Sequence, residues 1–90
     1  MTEVRIMASD FLLVDKRVMR DVGRTPAIIL AILNERFGSD EIIDGIDYIR
    51  SKIKISDPTV RECLAKLETA GILSRISYKD RVGLVYKINE

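Results

Sequence analysis

Ninety residues suffice for one small core, so a single domain over 1–90 is expected, burying about 60 to 65% of the surface its unfolded chain exposes. The hydrophobic fraction of 47% is ordinary, no apolar run approaches the roughly 18 to 20 residues of a membrane span, and MTEVRIMASD lacks the basic-then-apolar order of a secretory signal; a cytoplasmic setting without membrane contact is expected. With no histidine and a single cysteine, Cys63, the usual zinc ligand sets, His-dependent triads and an internal disulfide are excluded, so neither a cofactor nor catalysis is expected.

The net charge of +1 conceals an asymmetry. Residues 1–49 carry six bases and nine acids, net −3, whereas residues 50–90 carry nine bases and five acids, net +4. Such a split points to a polyanion-facing surface in the second half, with chance scatter of surface lysines as the alternative.

In residues 1–10, Val4 and Ile6 alternate with polar neighbours, which predicts a short strand or an extended arm. Phe11 to Val14 form a brief apolar run. Asp15 then suits the N-cap of a short helix through Val22, with Gly23 as a left-handed stop and Val18, Met19 and Val22 facing inward. RTPAIILAILNERFG predicts a second helix over 26–37: Thr25 caps it, Pro26 sits in the first turn where its missing N–H costs nothing, and Gly38 ends it. Ile28, Ile29, Leu30, Ile32 and Leu33 cover more than one stripe, so this helix is either central to the core or shares one side with a second subunit.

After a polar break at Ser39 to Glu41, the β-branched pair Ile42-Ile43 predicts a segment that pairs at the edge of a small sheet, and Asp44-Gly45 turns the chain. Ile46, Ile49 and Ile53 recur at i, i+3 and i+7, on one face of a short helix ending near Lys52 or Ile53. The next helix, 56–70, follows almost at once. Ser56 can accept from the Thr59 N–H, Pro58 falls in the first turn, and Asp57 either follows the cap or replaces it. Val60, Leu64 and Leu67 with Cys63 form its buried stripe, which makes Cys63 a core residue rather than a reactive one; Ala70-Gly71 ends the helix. Leu73 to Tyr78 and Leu84 to Ile88 alternate around KDRVG, where Asp80 and Gly83 suit a turn: a hairpin over 73–88.

The expected class is therefore mainly α with a small β-hairpin (α+β), and two helices on a very short connection followed by a hairpin describe a winged helix-turn-helix. Ile49, Ile53, Ile55, Ser56, Thr59, Val60, Leu64, Leu67, Gly71, Ile72 and Leu73 follow the pattern L-A-x-x-L-G-[VI]-S-x-x-T-V-x-x-x-L-x-x-L-x-x-x-G-[LI]-[LIV]. This stretch resembles the DNA-binding core of winged helix regulators, notably GntR-type repressors. FLLVDKRVMRDV before a long apolar helix is similar in layout to the N-terminal domains of phage and plasmid replication initiators. Arg50 stands where the pattern has a small Ala, and Lys54 where it has Gly. A Lys in a left-handed turn costs on the order of a kcal/mol relative to Gly, so a differently shaped turn is expected.

The resemblance implies a partner, double-stranded DNA, whose major groove accepts one helix by its N-terminal end. On helix 56–70 the candidate contacts are Ser56, Asp57, Thr59, Arg61, Glu62 and Lys66: Arg61 to read guanine through O6 and N7, Thr59 for a phosphate or a thymine methyl, Lys66 along the backbone. Asp57 and Glu62 oppose phosphate, although Glu62 can accept from cytosine N4, so affinity per subunit should be modest. The alternative is that Arg61 and Lys66 are solvated charges, with Glu62 and Lys66 an i,i+4 pair. In the wing, Lys79 and Arg81 at the tip and Arg75 and Lys87 on the strands suit flanking phosphates or the minor groove; a merely solubilising turn is the alternative. Arg50, Lys52 and Lys54 would grip phosphates on the approach.

A lone module this size binds weakly, so a homodimer on a palindromic or repeated site is expected, associating through the Ile-rich helix 26–37 and the N-terminal arm. Transcription regulation and replication or segregation of a phage or plasmid genome would both use it, and no small-molecule ligand is indicated. The other function class is a winged helix protein-protein interaction adaptor without direct DNA contact.

Overall fold

A 3.6-residue apolar period through the middle of the chain and a two-residue period at its ends yield, among the described residues, four helices between two antiparallel ribbons. The computed structural model describes the backbone of residues 2–7, 10–79 and 83–89, and the side chains of residues 14–76 and 85–89. In chain order the elements are β1 (Thr2–Met7), β2 (Asp10–Val14), α1 (Lys16–Val22), α2 (Arg24–Phe37), α3 (Gly45–Lys52), α4 (Asp57–Thr69), β3 (Leu73–Lys79) and β4 (Gly83–Ile88). None of the described helices is long and apolar enough to cross a membrane.

The N-terminal segment is half of a ribbon rather than a lone arm. β1 pairs with β2 from Thr2↔Val14 to Met7↔Asp10, with an irregular step between Arg5 and Met7. The apolar run before Asp15 is thus a strand, whose ladder satisfies backbone groups that an isolated arm would leave to water. β2 lies against α2, and Val14 at its end is fully buried.

Asp15 caps α1 as expected, its carboxylate accepting from the Arg17 N–H at 2.8 Å. Gly23 closes α1 and opens α2 in one residue. Its N–H donates to the Met19 carbonyl at 2.9 Å, and its own carbonyl accepts from the Ala27 N–H at 3.2 Å. With φ 98° and ψ 168°, it lies outside the left-handed helical region expected of it, in a conformation that a side chain disfavours. α2 therefore starts earlier than the sequence indicates, and Thr25 is an exposed residue inside the helix instead of its cap; no side chain caps α2. Pro26 remains in the first turn, where its absent N–H has no intrahelical partner to lose.

α2 sits at the centre, packed on α1, α3, α4 and β2, which explains why its apolar residues exceed one stripe. Ile29, Ile32 and Leu33 are buried there with Ile49 of α3 and with Val60, Leu64 and Leu67 of α4, while Ile28 and Leu30 are half-buried at the margin. Among the described residues, no polar or charged side chain is buried. Each fully buried aliphatic side chain stabilises by about 1.5 to 3 kcal/mol relative to exposure.

The expected edge segment at Ile42-Ile43 contracts to one bridge. Ile42 donates its N–H to the Tyr86 carbonyl at 2.7 Å and accepts from the Tyr86 N–H at 3.3 Å, so it extends the second ribbon on the side of β4 away from β3. Ile43 is exposed, and Asp44, at φ 56°, ends the extended run. Gly45 then opens α3 where a side chain has no room: a Cβ there would lie 2.7 Å from Ile42 Cγ2 and 3.5 Å from Leu33 Cδ2. Ile42 is 1% exposed and stiff at its β-branch, so it cannot swing aside. Gly45→Ala should destabilise the fold by about 1 to 3 kcal/mol in urea denaturation; an unchanged midpoint would mean that the α2–α3 turn yields instead.

Candidate nucleic-acid interface

α4 is rigid at both ends. Ser56, extended at φ −79° and ψ 152°, accepts the Thr59 N–H at 3.4 Å and shares a 2.8 Å hydrogen bond with the Thr59 hydroxyl, while Pro58 pre-sets the first turn. At the other end the Gly71 N–H reaches the Glu68 carbonyl and the Ile72 N–H reaches the Leu67 carbonyl, both at 3.0 Å. Thirteen residues make a rod of about 20 Å. With Val60, Cys63, Leu64 and Leu67 buried, the rod leaves Pro58, Thr59, Arg61, Glu62, Ala65, Lys66 and Thr69 exposed and Asp57 half-buried. The outward flank is the one expected from the spacing.

The connection from α3 is extended, in keeping with the differently shaped turn expected with Lys54 in place of Gly. Ile53 has φ −134° and ψ 156°, and among described non-glycine residues only Asp44 has a positive φ. Lys54 is exposed and carries no penalty of that kind. Arg50 is accommodated equally simply: Ile49 makes the buried contact and Arg50 points to solvent, so no small residue is required at that position.

Lys52 is held by an aromatic surface. Its ammonium lies 5.6 Å from the centre of the Tyr48 ring, which meets Phe37 edge-to-face at 5.8 Å. Arg36 stacks on the same pair, 5.4 Å from Phe37 and 5.9 Å from Tyr48. Two cations thus share one ring, each attracted by its quadrupole. Arg36 was not a sequence candidate, because nothing local links residue 36 to residue 48.

The cations on and beside α4 are paired. Arg61 donates its Nε–H to Asp57 Oδ2 at 2.6 Å, and this hydrogen bond with the Asp57 charge raises the guanidinium pKa further above its ordinary value. Lys66 lies 3.9 Å from Glu62, the i,i+4 pair foreseen from the sequence. Arg75 grips Glu68 with both Nε, 3.1 Å from Oε1, and Nη2, 3.2 Å from Oε2, which ties β3 to the last turn of α4. Arg50, Lys54 and Lys87 are exposed and make no ion pair among the described residues. The backbone of Lys79 ends β3 opposite Gly83; its side chain, and Asp80 and Arg81, which the sequence assigns to the turn, lie outside the described residues.

Asn89 fixes the base of the ribbon. Its N–H donates to the Ile72 carbonyl, its Nδ2 to the Gly71 carbonyl, and its Oδ1 accepts from the Ser74 hydroxyl, all at 2.8 Å. No pattern in the sequence singled it out. Beside the C-terminal half of α4, a groove of about 570 Å³ separates Glu62, Ala65, Lys66 and Thr69 from Asp21 and Val22 of α1. On the flank, Asp57, Thr59 and Arg61 do not line it.

Two changes test this local anatomy. Ser56→Ala should cost about 1 kcal/mol in thermal or chemical denaturation, because one orphan N–H of the first turn loses its acceptor. Cys63 is 4% exposed, and burial pushes its thiol above the ordinary value against the pull of Lys66. The folded state then holds that proton more tightly than the unfolded chain, so its stabilising effect is intact below the ordinary thiol pKa of about 8.5 and is lost as pH rises through the raised value. At about pH 8, Ellman's reagent should leave the native thiol untouched and titrate it on denaturation; rapid native reaction would place the sulfur at the surface. No family model matches this chain, and neither a curated protein nor a solved structure matches it.

Proposed function

We propose that this protein is a non-enzymatic double-stranded DNA-binding module of winged helix-turn-helix type, with α4 entering the major groove and the β3–β4 ribbon as the wing. One observation carries the reading: α4 buries its whole apolar stripe, leaves the opposite flank open, and has the ribbon pinned beside its C-terminal turn by Arg75–Glu68 and Asn89. The topology supports it further, since the helix pair α3–α4 follows a bridging residue, Ile42, that pairs with β4 on the edge opposite β3. A helix of about 20 Å with an exposed polar flank presents its side chains to a groove about 12 Å wide.

Phosphate attraction in this arrangement comes from outside α4, because Arg61 and Lys66 are offset by Asp57 and Glu62. Arg50, Lys52 and Lys54 on the approach, Lys87 on β4 and the tip residues Lys79 and Arg81 supply it. Affinity per subunit is accordingly modest, and a homodimer on a palindromic or repeated site compensates; the half-buried Ile28 and Leu30 of α2 and the β1–β2 ribbon are the surfaces it would use. Transcription regulation and replication or segregation on a phage or plasmid genome fit the module equally. The charge balance on α4 and the groove against α1 favour one competing reading, a protein-binding adaptor.

A salt series decides between them. Fluorescence anisotropy with a random-sequence duplex should show log K falling linearly with log salt, and Lys54→Ala and Lys87→Ala should each reduce the slope by about 1. Absence of duplex binding at low salt, or a slope near zero, would overturn the DNA reading in favour of the adaptor.

A further inference from the structure

Arg61 and Asp57 are spaced i,i+4 on the open N-terminal half of α4, and the geometry of their contact is selective. Arg carries five N–H donors, and only the Nε–H reaches the carboxylate; neither terminal nitrogen makes a hydrogen bond among the described residues. The side chain is nevertheless 60% exposed, so those terminal groups face solvent. We infer that Asp57 is a positioning residue that anchors Arg61 by its Nε and aims the two terminal nitrogens at the O6 and N7 acceptors of a guanine in the major groove. The inference rests on the DNA-binding reading and specifies what α4 recognises.

Three physical points lead there. A long flexible side chain loses rotamer freedom when it binds, and anchoring at Nε removes much of that freedom before DNA arrives. The pair is also electrically neutral, so it adds little to phosphate attraction; an Arg meant to grip phosphate gains nothing from a carboxylate at 2.6 Å that cancels its charge. Base reading has the opposite requirement, because discrimination between purines depends on where two donors point, and guanine alone offers two adjacent acceptors in this groove.

Duplexes selected by the wild-type protein from a random pool provide the probe, tested again with 7-deazaguanine replacing each guanine in turn, which removes N7 alone. The wild type should show a guanine whose replacement weakens binding about tenfold. In Asp57→Ala that penalty should shrink severalfold while affinity for random duplex rises, since a negative charge has left the surface. Asp57→Asn, which keeps an oxygen acceptor without the charge, should fall between them, and Arg61→Ala should abolish the penalty. If Asp57 were only a surface charge, its removal would strengthen every duplex alike and leave the tenfold penalty intact; that result overturns the inference, as does a penalty surviving in Arg61→Ala or a wild type sensitive to no guanine. Those results leave salt-dependent duplex binding standing, whereas its absence removes the DNA-binding reading and this inference together.

Discussion

Val60, Leu64 and Leu67 cannot leave the core without exposing side chains that are essentially inaccessible in the fold, and this fixes the rotation of α4 about its own axis. On a helix, the burial of one face determines the opposite one, because the period is 3.6 and side-chain directions are locked to the backbone. Thr59, Arg61, Glu62 and Lys66 face solvent because the stripe at 60, 63, 64 and 67 does not. Ser56 and Gly71 then limit the rod at its ends, so both the orientation and the length of the exposed flank follow from local chemistry around a buried seam.

The ribbon is tied to that seam from both edges. On one side Arg75 holds Glu68 and Asn89 closes the turn after α4; on the other, Tyr86 bridges to Ile42 at the entrance to α3. Single exposed ion pairs contribute little, roughly 0 to 1 kcal/mol, but here the backbone bonds of Asn89 and Ile42 carry the placement and the ion pair refines it. The β3–β4 ladder slips between Arg75 and Ser77, leaving Ile76 without a cross-strand partner and 46% exposed, a bulge of the kind that sharpens ribbon twist.

Electrostatically, the cations on the α4 flank differ from those around it. Arg61, Lys66 and Arg75 have carboxylate partners, whereas Arg50, Lys54 and Lys87 make no ion pair among the described residues and Lys52 rests on an aromatic ring. On the proposed DNA-binding reading, such a surface would draw long-range pull from its periphery and directional contacts from its centre. Asp21 lies across the groove from Glu62, so two carboxylates flank that groove.

Much of this was legible before any tertiary contact was known. The cap at Ser56, the stripe on α4, the helix ends at Gly38 and Gly71 and the hairpin after Leu73 depend on residues within a turn of one another, so spacing alone determined them. Asp57 and Arg61 also have the spacing of an i,i+4 pair, as Glu62 and Lys66 do, but Asp57 has a competing local role near the cap. Only the tertiary structure decided that β1 finds β2, that Gly23 rather than Thr25 opens α2, that Ile42 meets Tyr86, and that Arg36 reaches Tyr48. Apart from the choice at Gly23, which rests on backbone torsions, each joins residues whose partner is chosen by packing of the whole chain, and periodicity carries no information about which distant residue that will be.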